Sequence, residues 1–227
     1  LVGADRLDFV GDLGAQMPMR VIGALLGIPV QDQEDVRQHK DDTLRREPGQ
    51  PGEFSEDQFA DAAFFEEYIN WRRENPSDDL MTQLIRAEFE DETGTVRCLT
   101  HDELLIFVNV LATAGNETTN RVIGHIGRLL AEHPDQRREL VDDRSLIPNA
   151  VEEILRVEPP ALQACRYVTR DVEFHGQTVP EGSTLMVLMA SANRDDRAFP
   201  PDGDVFDIHR EIGHHLTFGH GIHFCLG

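Results

Sequence analysis

The longest helical stretch of the sequence runs from Thr100 to His133, and it limits the folds open to this chain. Thr100 and Glu103 have the spacing of a capping box, which marks a helix start, and Pro134 marks the end. The run LLIFVNVLATA after the cap is apolar on nearly every side. A helix of that kind is buried in the middle of a protein. The sequence therefore predicts a fold built around one central helix.

Further helices and a small amount of strand are predicted around this helix. The helices are expected in the stretches that begin MPMRV, QDQED, FSEDQ, DDLMTQLIRAEFE and SLIPN. Residues 47–53 are expected to form a loop because of their Pro and Gly content. The short runs CRYV, VEF, QTV and TLMVLM are of the β type and are separated by turn residues. The predicted fold class is mainly α with a minor β-sheet, followed by a long irregular region beyond Asn193.

The charge of the chain restricts its partners. Acidic residues outnumber basic ones by 42 to 21, so the 227-residue chain has a formal net charge of −21. This charge disfavours a nucleic-acid surface, which needs clustered Lys and Arg, and it disfavours binding to an anionic membrane. No apolar run reaches the roughly 18 residues of a membrane span, and no signal peptide is evident. We therefore expect no nucleic-acid partner and no membrane partner.

The three cysteines do not indicate a disulfide framework. Cys98, Cys165 and Cys225 are odd in number and widely spaced. A reducing, cytoplasmic location suits such a set. Cys98 and Cys165 carry no distinguishing neighbours, whereas Cys225 lies in the unusual segment LTFGHGIHFCLG.

The loop around Cys225 has the composition that a metal-bound thiolate needs. Glycines let backbone N–H groups approach a sulfur closely, because no Cβ intervenes, and such donors tune the electron density of the sulfur. Phe218 can exclude water from the site. These are the requirements of an axial haem thiolate.

Two other interpretations of this loop remain open on its composition alone. Cys225 could be a buried structural cysteine in a glycine-rich turn. A zinc site is also conceivable, because several histidines lie close in sequence, namely His214, His215, His220 and His223. Zinc is disfavoured because no C-x-x-C partner is present.

A polar run interrupts the apolar central helix at AGNETT, residues 114–119. Glu117 is costly in an apolar helix unless it is used or paired. Gly115 weakens the helix, and a Thr hydroxyl can bond back to a carbonyl and bend it. By itself, the run is better explained as a helix kink with a satisfied polar patch.

The segment EEILR contains a possible ion pair. Glu153 and Arg156 lie three residues apart on one helical face, and Glu152 could also pair with Arg156 at a spacing of four. Many surface helices have such spacings, so the signal is weak alone.

Taken together and in this order, the three segments resemble the cytochrome P450 family of haem-thiolate monooxygenases. FDIHRE and NRDD are similar to the family as well, and MRVIGALLGIP is similar to its soluble bacterial members. The resemblance covers essentially the whole chain and implies a partial cytochrome P450 domain over residues 1–227. Because members are about twice this long, we expect an internal or C-terminal fragment with an incomplete fold that lacks the front part and the final helix.

The resemblance implies roles for residues near the cofactor, which is haem b. Cys225 would be the axial ligand of the haem iron, and Phe218 would lie beside it. Glu117 and Thr118 would be the acid–alcohol pair that delivers protons during dioxygen activation. The small residues Ala114 and Gly115 would leave space for oxygen beside the haem.

Other residues acquire roles from the same resemblance. Arg166 and His223 match positions that hold haem propionates. Three further residues would form a buried structural ion network, namely Glu153, Arg156 and Arg210. Another three would face the substrate, namely Val110, Thr113 and Leu162.

The implied activity is the insertion of one oxygen atom of O2 into a small apolar organic substrate. NAD(P)H-derived electrons would arrive through a ferredoxin and a ferredoxin reductase. Two alternatives remain, a peroxide-driven haem-thiolate enzyme and a non-catalytic haem or gas-binding protein. The missing segments lead us to expect that this fragment by itself binds haem poorly and is inactive.

Overall fold

The computed structural model describes residues 5–44 and 62–227. The chain forms two compact units, Leu1–Asn120 and Arg121–Gly227. The boundary between the two units falls inside the longest helix. The predicted loop at 47–53, together with the first part of the helix predicted in the stretch that begins FSEDQ, lies outside the described residues.

The first unit is helical with one small hairpin. A π-helical turn occupies Phe9–Gly14 and a 3-10 turn occupies Ala63–Phe65. The α-helices are α1 at Gln16–Leu26, α2 at Gln33–Leu44, α3 at Glu66–Glu74, α4 at Leu80–Arg86 and α5 at His101–Glu132. A cluster of fully buried apolar side chains from these helices forms its core, including Met19, Leu26, Val36, Phe65, Ile69, Met81, Leu104 and Val108.

The end of α1 is determined by its own sequence. Gly27 has φ of 69°, in the left-handed region, and its N–H bonds to the Ala24 carbonyl. The Ile28 N–H then bonds to the Gly23 carbonyl at 2.8 Å. Glycine is the residue that adopts this conformation without a steric penalty, which makes it the common helix terminator.

The capping box predicted at the start of α5 is present. The Glu103 N–H donates to Thr100 Oγ1 at 3.2 Å, and the Thr100 N–H donates to Glu103 Oε2 at 2.8 Å. These two bonds satisfy donors that have no partner inside the helix.

The prediction that α5 is buried on nearly every side is wrong for the described residues. Leu104, Val108 and Ala112 are fully buried, whereas Phe107 and Val110 are exposed. The described part of the first unit therefore covers only one side of the helix here. An apolar sequence identifies helix faces that can be buried, but neighbouring elements decide which of them are covered.

A second prediction needs correction between α4 and α5. The stretch DDLMTQLIRAEFE was expected to be one helix, but α4 ends at Arg86 and residues 88–90 are a strand. Strands β1 (Glu88–Glu90) and β2 (Val96–Cys98) form an antiparallel hairpin. The Asp91 carboxylate accepts bonds from Thr93 and Thr95 at the turn and from Arg97. These bonds stabilise the hairpin over a continued helix.

The second unit contains the remaining helices. Helix α6 at Pro134–Asp142 was not predicted, whereas α7 at Ile147–Val157 lies in the stretch that begins SLIPN, as expected, and ends just before Pro159–Pro160. Helix α8 is short, at Met189–Ala192, and 3-10 turns occupy Arg144–Leu146 and Gly221–His223. The core of the second unit comprises Leu129, Ala150, Ile154, Val157, Phe206 and Ile208.

Four short strands form two antiparallel pairs in the second unit. Strand β3 (Ala164–Tyr167) pairs with β6 (Thr184–Val187), and β4 (Val172–Phe174) pairs with β5 (Gln177–Val179). All four β-type runs are therefore strands, and the fold class is mainly α with small sheets, as predicted. Within the described residues, no helix is both long and apolar enough to cross a membrane.

Candidate functional site

The segment around Cys225 forms a tight turn closed by a backbone hydrogen bond. The Cys225 N–H donates to the Phe218 carbonyl at 2.8 Å. Gly219 and Gly221 have φ of 74° and 71°, in the region that side chains disfavour. A Cβ at Gly219 would also lie 3.3 Å from the His223 carbonyl oxygen. The glycines of this segment are therefore needed for the turn itself.

The surface of this turn suits an apolar ligand with a metal at its centre. Cys225 is exposed, and its Sγ contacts the Gly227 carbonyl at 3.1 Å. Ile222, Phe224 and Leu226 beside it are exposed as well. An exposed cysteine surrounded by exposed apolar side chains does not fit the buried structural cysteine considered for this loop.

The zinc alternative lacks a ligand set. Among the residues that the structure describes, no three His, Cys, Asp or Glu side chains are placed to hold a metal ion. His215 is buried and its Nε2 lies 3.0 Å from Glu152 Oε2. Glu152 therefore pairs with His215, and the proposed spacing-of-four contact with Arg156 is not formed.

Glu153 and Arg156 of α7 form a fully buried ion pair, and the partly buried Arg210 joins it. The Arg156 guanidinium donates to both Glu153 oxygens, at 2.7 and 2.8 Å. Arg210 Nε donates to Glu153 Oε1 at 3.3 Å. The two guanidinium groups also donate to backbone carbonyls, namely those of Asn193, Gly203 and Val205 for Arg156, and those of Phe199, Pro200, Asp202 and Val205 for Arg210. The irregular region beyond Asn193 is thus attached to α7 through charged side chains.

In the first unit, several predicted site residues share one face of α5. Val110, Ala114 and Thr118 are exposed, and Thr113 and Glu117 are half-buried. Their spacing of three and four residues places them on the same side of the helix. This side lies opposite the fully buried Val108 and Ala112, so it is available to a ligand within the first unit.

The space expected beside Gly115 is filled by a neighbouring helix. A Cβ at Gly115 would lie 2.6 Å from Cδ1 of Ile22 in α1. Gly115 therefore permits a close approach of two helices, whereas Ala114 belongs to the exposed face. Helix α5 is continuous through this segment, and the Thr118 hydroxyl donates to the Ala114 carbonyl at 2.6 Å. The back-bond from a Thr hydroxyl that was considered for the AGNETT run is therefore present.

The negative charge of Glu117 affects the pKa of Asp41, a carboxylate of α2. Burial raises the pKa of Asp41, Arg37 lowers it, and the negative charge of Glu117 raises it further. Arg37 pairs with both Asp41 and Glu34. Glu117 of α5 therefore interacts electrostatically with the ion-pair cluster that Glu34, Arg37 and Asp41 form on α2.

Comparison with known proteins assigns the family. A family model described as Cytochrome P450 matches residues 55–227. The chain belongs to the cytochrome P450 family. It is 39% identical over 237 residues to cyclomarin C epoxidase CymV of Salinispora arenicola, an alignment that covers 100% of this chain and 58% of that protein.

Other P450 relatives lead to the same conclusion. The chain is 35% identical over 222 residues to vitamin D(3) 25-hydroxylase of Pseudonocardia autotrophica, covering 97% of this chain and 53% of that protein. The solved structure of cytochrome P450 CYP109Q5 from Chondromyces apiculatus superimposes with a TM-score of 0.81 at 38% identity, covering 95% of this chain and 53% of that one. The chain thus spans about half the length of the relatives it matches, which agrees with an incomplete P450 fold.

The remaining residues expected to contact P450 cofactor or substrate lie in the second unit. Arg166 is exposed on β3, and its Nη1 donates to the Cys165 carbonyl at 2.9 Å. His223 ends the 3-10 turn before Cys225 and is exposed. Leu162 is exposed just before β3. The Phe218 ring packs against those of His215 and Phe224, with centroids 5.7 and 6.2 Å away.

Sequence reasoning missed two buried polar residues near the cysteine turn of this P450 chain. Asn193 and Thr217 are bonded to each other at 2.9 Å and contact both α7 and the start of the turn. The NRDD motif drew attention to Asn193 by resemblance only. No local pattern marks Thr217, because its partners are distant in sequence.

Proposed function

We propose that the protein carrying this sequence is a haem-thiolate monooxygenase that inserts one oxygen atom of O2 into an apolar organic substrate. The observation that carries the proposal is Cys225, exposed in a glycine-dependent turn beside apolar side chains, in a chain of the P450 family. A thiolate ligand pushes electron density onto haem iron and favours cleavage of the O–O bond.

Several residues would hold the cofactor, haem b. Cys225 would bind the iron and Phe218 would shield the sulfur from water. Arg166 and His223 would bind the propionates, because a guanidinium can bind a carboxylate with two parallel hydrogen bonds. Ala114 would leave space beside the haem on the exposed face of α5, while Gly115 would support that face through its packing on Ile22.

Glu117 and Thr118 would move protons to the reacting oxygen. The Thr118 hydroxyl proton is directed to the Ala114 carbonyl, so its oxygen can accept a hydrogen bond from water or substrate. A positioned acid and a hydroxyl within hydrogen-bond reach are what general acid catalysis needs. Glu153, Arg156 and Arg210 would act structurally, behind the cysteine turn.

The electrons would come from NAD(P)H through a ferredoxin and its reductase in the cytoplasm. The substrate would be apolar, because the exposed positions of Val110 and Leu162 present alkyl side chains and Thr113 adds a single hydroxyl. Named relatives act on cyclomarin C and vitamin D3, which supports a lipid-like or natural-product substrate class.

A carbon monoxide difference spectrum of the reduced, haem-loaded protein tests the ligand assignment. Cys225→Ser is expected to abolish the thiolate signature, because a hydroxyl is a poor substitute for a thiolate. Cys98→Ser and Cys165→Ser are matched controls, since both cysteines are also free and exposed. A thiolate signature that survives in Cys225→Ser would refute the proposal.

The proton-delivery role and the electron route are tested by turnover. Thr118→Ala is expected to consume reductant without forming a matching amount of product, whereas Thr118→Ser should keep the coupling. Thr119→Ala, in the same exposed turn, is the control. Turnover that needs only peroxide and is unaffected by Thr118→Ala would favour the peroxide-driven alternative, and haem binding without turnover of any substrate would favour a sensor.

A further inference from the structure

A buried asparagine holds the start of the cysteine turn. Asn193 is fully buried, and both ends of its amide are used. Its Oδ1 accepts the Leu216 N–H at 2.7 Å, and its Nδ2 donates to Thr217 Oγ1 at 2.9 Å. A buried amide with both groups satisfied in this way fixes the position of the backbone it bonds to.

Thr217 connects the cysteine segment to α7 by bonding to a backbone carbonyl that has no partner within the helix. The Leu155 carbonyl would normally accept from the residue four positions on, which is Pro159 and has no N–H. The Thr217 hydroxyl donates to this carbonyl at 2.6 Å instead. A carbonyl of the last turn of α7 is therefore the acceptor to which the cysteine segment attaches.

The same asparagine is connected to the buried ion pair. Arg156 Nη1 donates to the Asn193 backbone carbonyl at 2.7 Å. The side chain of Asn193 thus faces the cysteine segment while its backbone faces the Glu153–Arg156 pair. A continuous set of buried hydrogen bonds links the ion pair to residue 217.

Thr217 is adjacent to the residue that closes the turn. The next residue, Phe218, supplies the carbonyl that accepts the Cys225 N–H at 2.8 Å. We propose that Asn193 and Thr217 are positioning residues for the Cys225 sulfur, acting through the Phe218 carbonyl and the Cys225 N–H. This proposal rests on the proposed function of Cys225 as the haem ligand.

A second set of contacts reaches the same segment through His215. His215 Nδ1 accepts the Thr217 N–H at 3.3 Å, and His215 Nε2 pairs with the half-exposed Glu152. The Thr217 N–H contact to His215, at 3.3 Å, is longer than the Asn193–Thr217 bond at 2.9 Å, although both are buried. The Asn193 side chain and the Thr217 hydroxyl therefore provide the shorter contacts that hold the start of the turn.

The test compares Thr217→Val, which has the same shape but no hydroxyl, with Thr217→Ser, which keeps the hydroxyl. Thr178→Val on the exposed strand β5 is the matched control. The haem-loaded protein is assayed for haem content, for the ratio of thiolate to thiol ligation in the carbon monoxide difference spectrum, and for the haem reduction potential.

We expect Thr217→Val to bind haem but to lower the thiolate-to-thiol ratio roughly tenfold, because it leaves both the Asn193 amide donor and the Leu155 carbonyl without a partner. Its potential should differ from that of the wild type, and Thr217→Ser should restore both values. An unchanged ratio and potential in Thr217→Val would overturn the proposal. A lowered thiolate-to-thiol ratio in both Thr217→Val and Thr217→Ser would also overturn it.

If Thr217→Val binds no haem, Thr217→Ala takes its place, since a water can occupy the space of the missing group. A lowered ratio in Thr217→Ala supports the positioning role. Loss of haem by both variants indicates a role in folding only and overturns it. A wild-type protein without any thiolate signature would instead refute the assignment of Cys225, so the two failures are distinguishable.

Discussion

Glu153 and Arg156 lie one helical turn apart on α7 and form a two-bonded ion pair from which water is fully excluded. Their side chains are 0% exposed, with N–O distances of 2.7 and 2.8 Å. Arg156 also donates to three backbone carbonyls. A buried charge pair is tolerated only when its remaining hydrogen-bonding groups are satisfied, and here the irregular region beyond Asn193 supplies them.

Removing one charge of this pair should destabilise the protein strongly. Glu153→Gln leaves the Arg156 charge without its counter-ion, and we expect the free energy of unfolding to fall by about 3–5 kcal/mol. The matched control is Glu132→Gln, which breaks the exposed pair with Arg128 and should cost about 0.5 kcal/mol or less. Urea unfolding of the three proteins measures both effects, and equal losses would contradict the distinction.

The close contact of Gly203 predicts a severe effect of a single methyl group. A Cβ at Gly203 would lie 2.2 Å from the Arg194 carbonyl oxygen, which is backbone and cannot rotate away. We expect Gly203→Ala to lower the free energy of unfolding by about 1–3 kcal/mol or more.

Gly213→Ala is the control for Gly203→Ala, because nothing lies within 4 Å of its added Cβ. It should be neutral or stabilise by about 0.4–1 kcal/mol through the unfolded chain. Thermal unfolding separates the two glycines, and similar melting temperatures would show that the loop around Gly203 can relax.

Because α1 packs on α5, the effects of substitutions at Gly115 and Ile22 on the free energy of unfolding should be coupled. Alanine at Gly115 would gain about 1 kcal/mol of helix propensity, but its Cβ would overlap the Ile22 side chain. We expect Gly115→Ala to stabilise the protein only in an Ile22→Ala background, with a coupling energy of about 1 kcal/mol or more. Denaturant unfolding of the four proteins of the cycle tests this, and additive effects would rule out the contact.

The start of α5 should lose stability in acid. Hydrogen bonds from the Arg97 guanidinium and then from the Thr100 N–H lower the pKa of Glu103 to about 2, from an ordinary value of 4.5. A carboxylate with a lowered folded-state pKa stabilises the protein above pH 4.5, and this contribution is lost as the pH falls toward 2.

The variant Glu103→Gln should therefore show a smaller decrease in the free energy of unfolding between those two pH values. Glu92→Gln, at an exposed carboxylate on the β1–β2 turn, is the control. The free energy of unfolding of each protein is measured at intervals across this pH range, and its slope against pH is compared between the proteins. The assignment would fail if both variants kept the slope of the wild type.

Features that depend on neighbours along the chain could be predicted from the sequence. The Thr100–Glu103 box, the termination of α1 at Gly27 and the end of α7 before Pro159 each involve residues within four positions of one another. The β-type runs after α7 could be predicted as well, because their residue types and the turn residues between them are also local features of the sequence. The hairpin after Arg86 could not be predicted as safely, because a short apolar run suits a helix as well as a strand until its partner strand is known.

By itself, the sequence determined the family, the helical fold class and the glycine-dependent turn that carries Cys225. Tertiary structure alone decided that Ile22 fills the space at Gly115, that one face of α5 stays open, and that Asn193 and Thr217 join the cysteine segment to α7. Backbone conformation and helix ends follow from interactions between near neighbours in the chain. The partner of a buried polar group or the filling of a gap depends on residues that only folding brings together, so no local pattern records them.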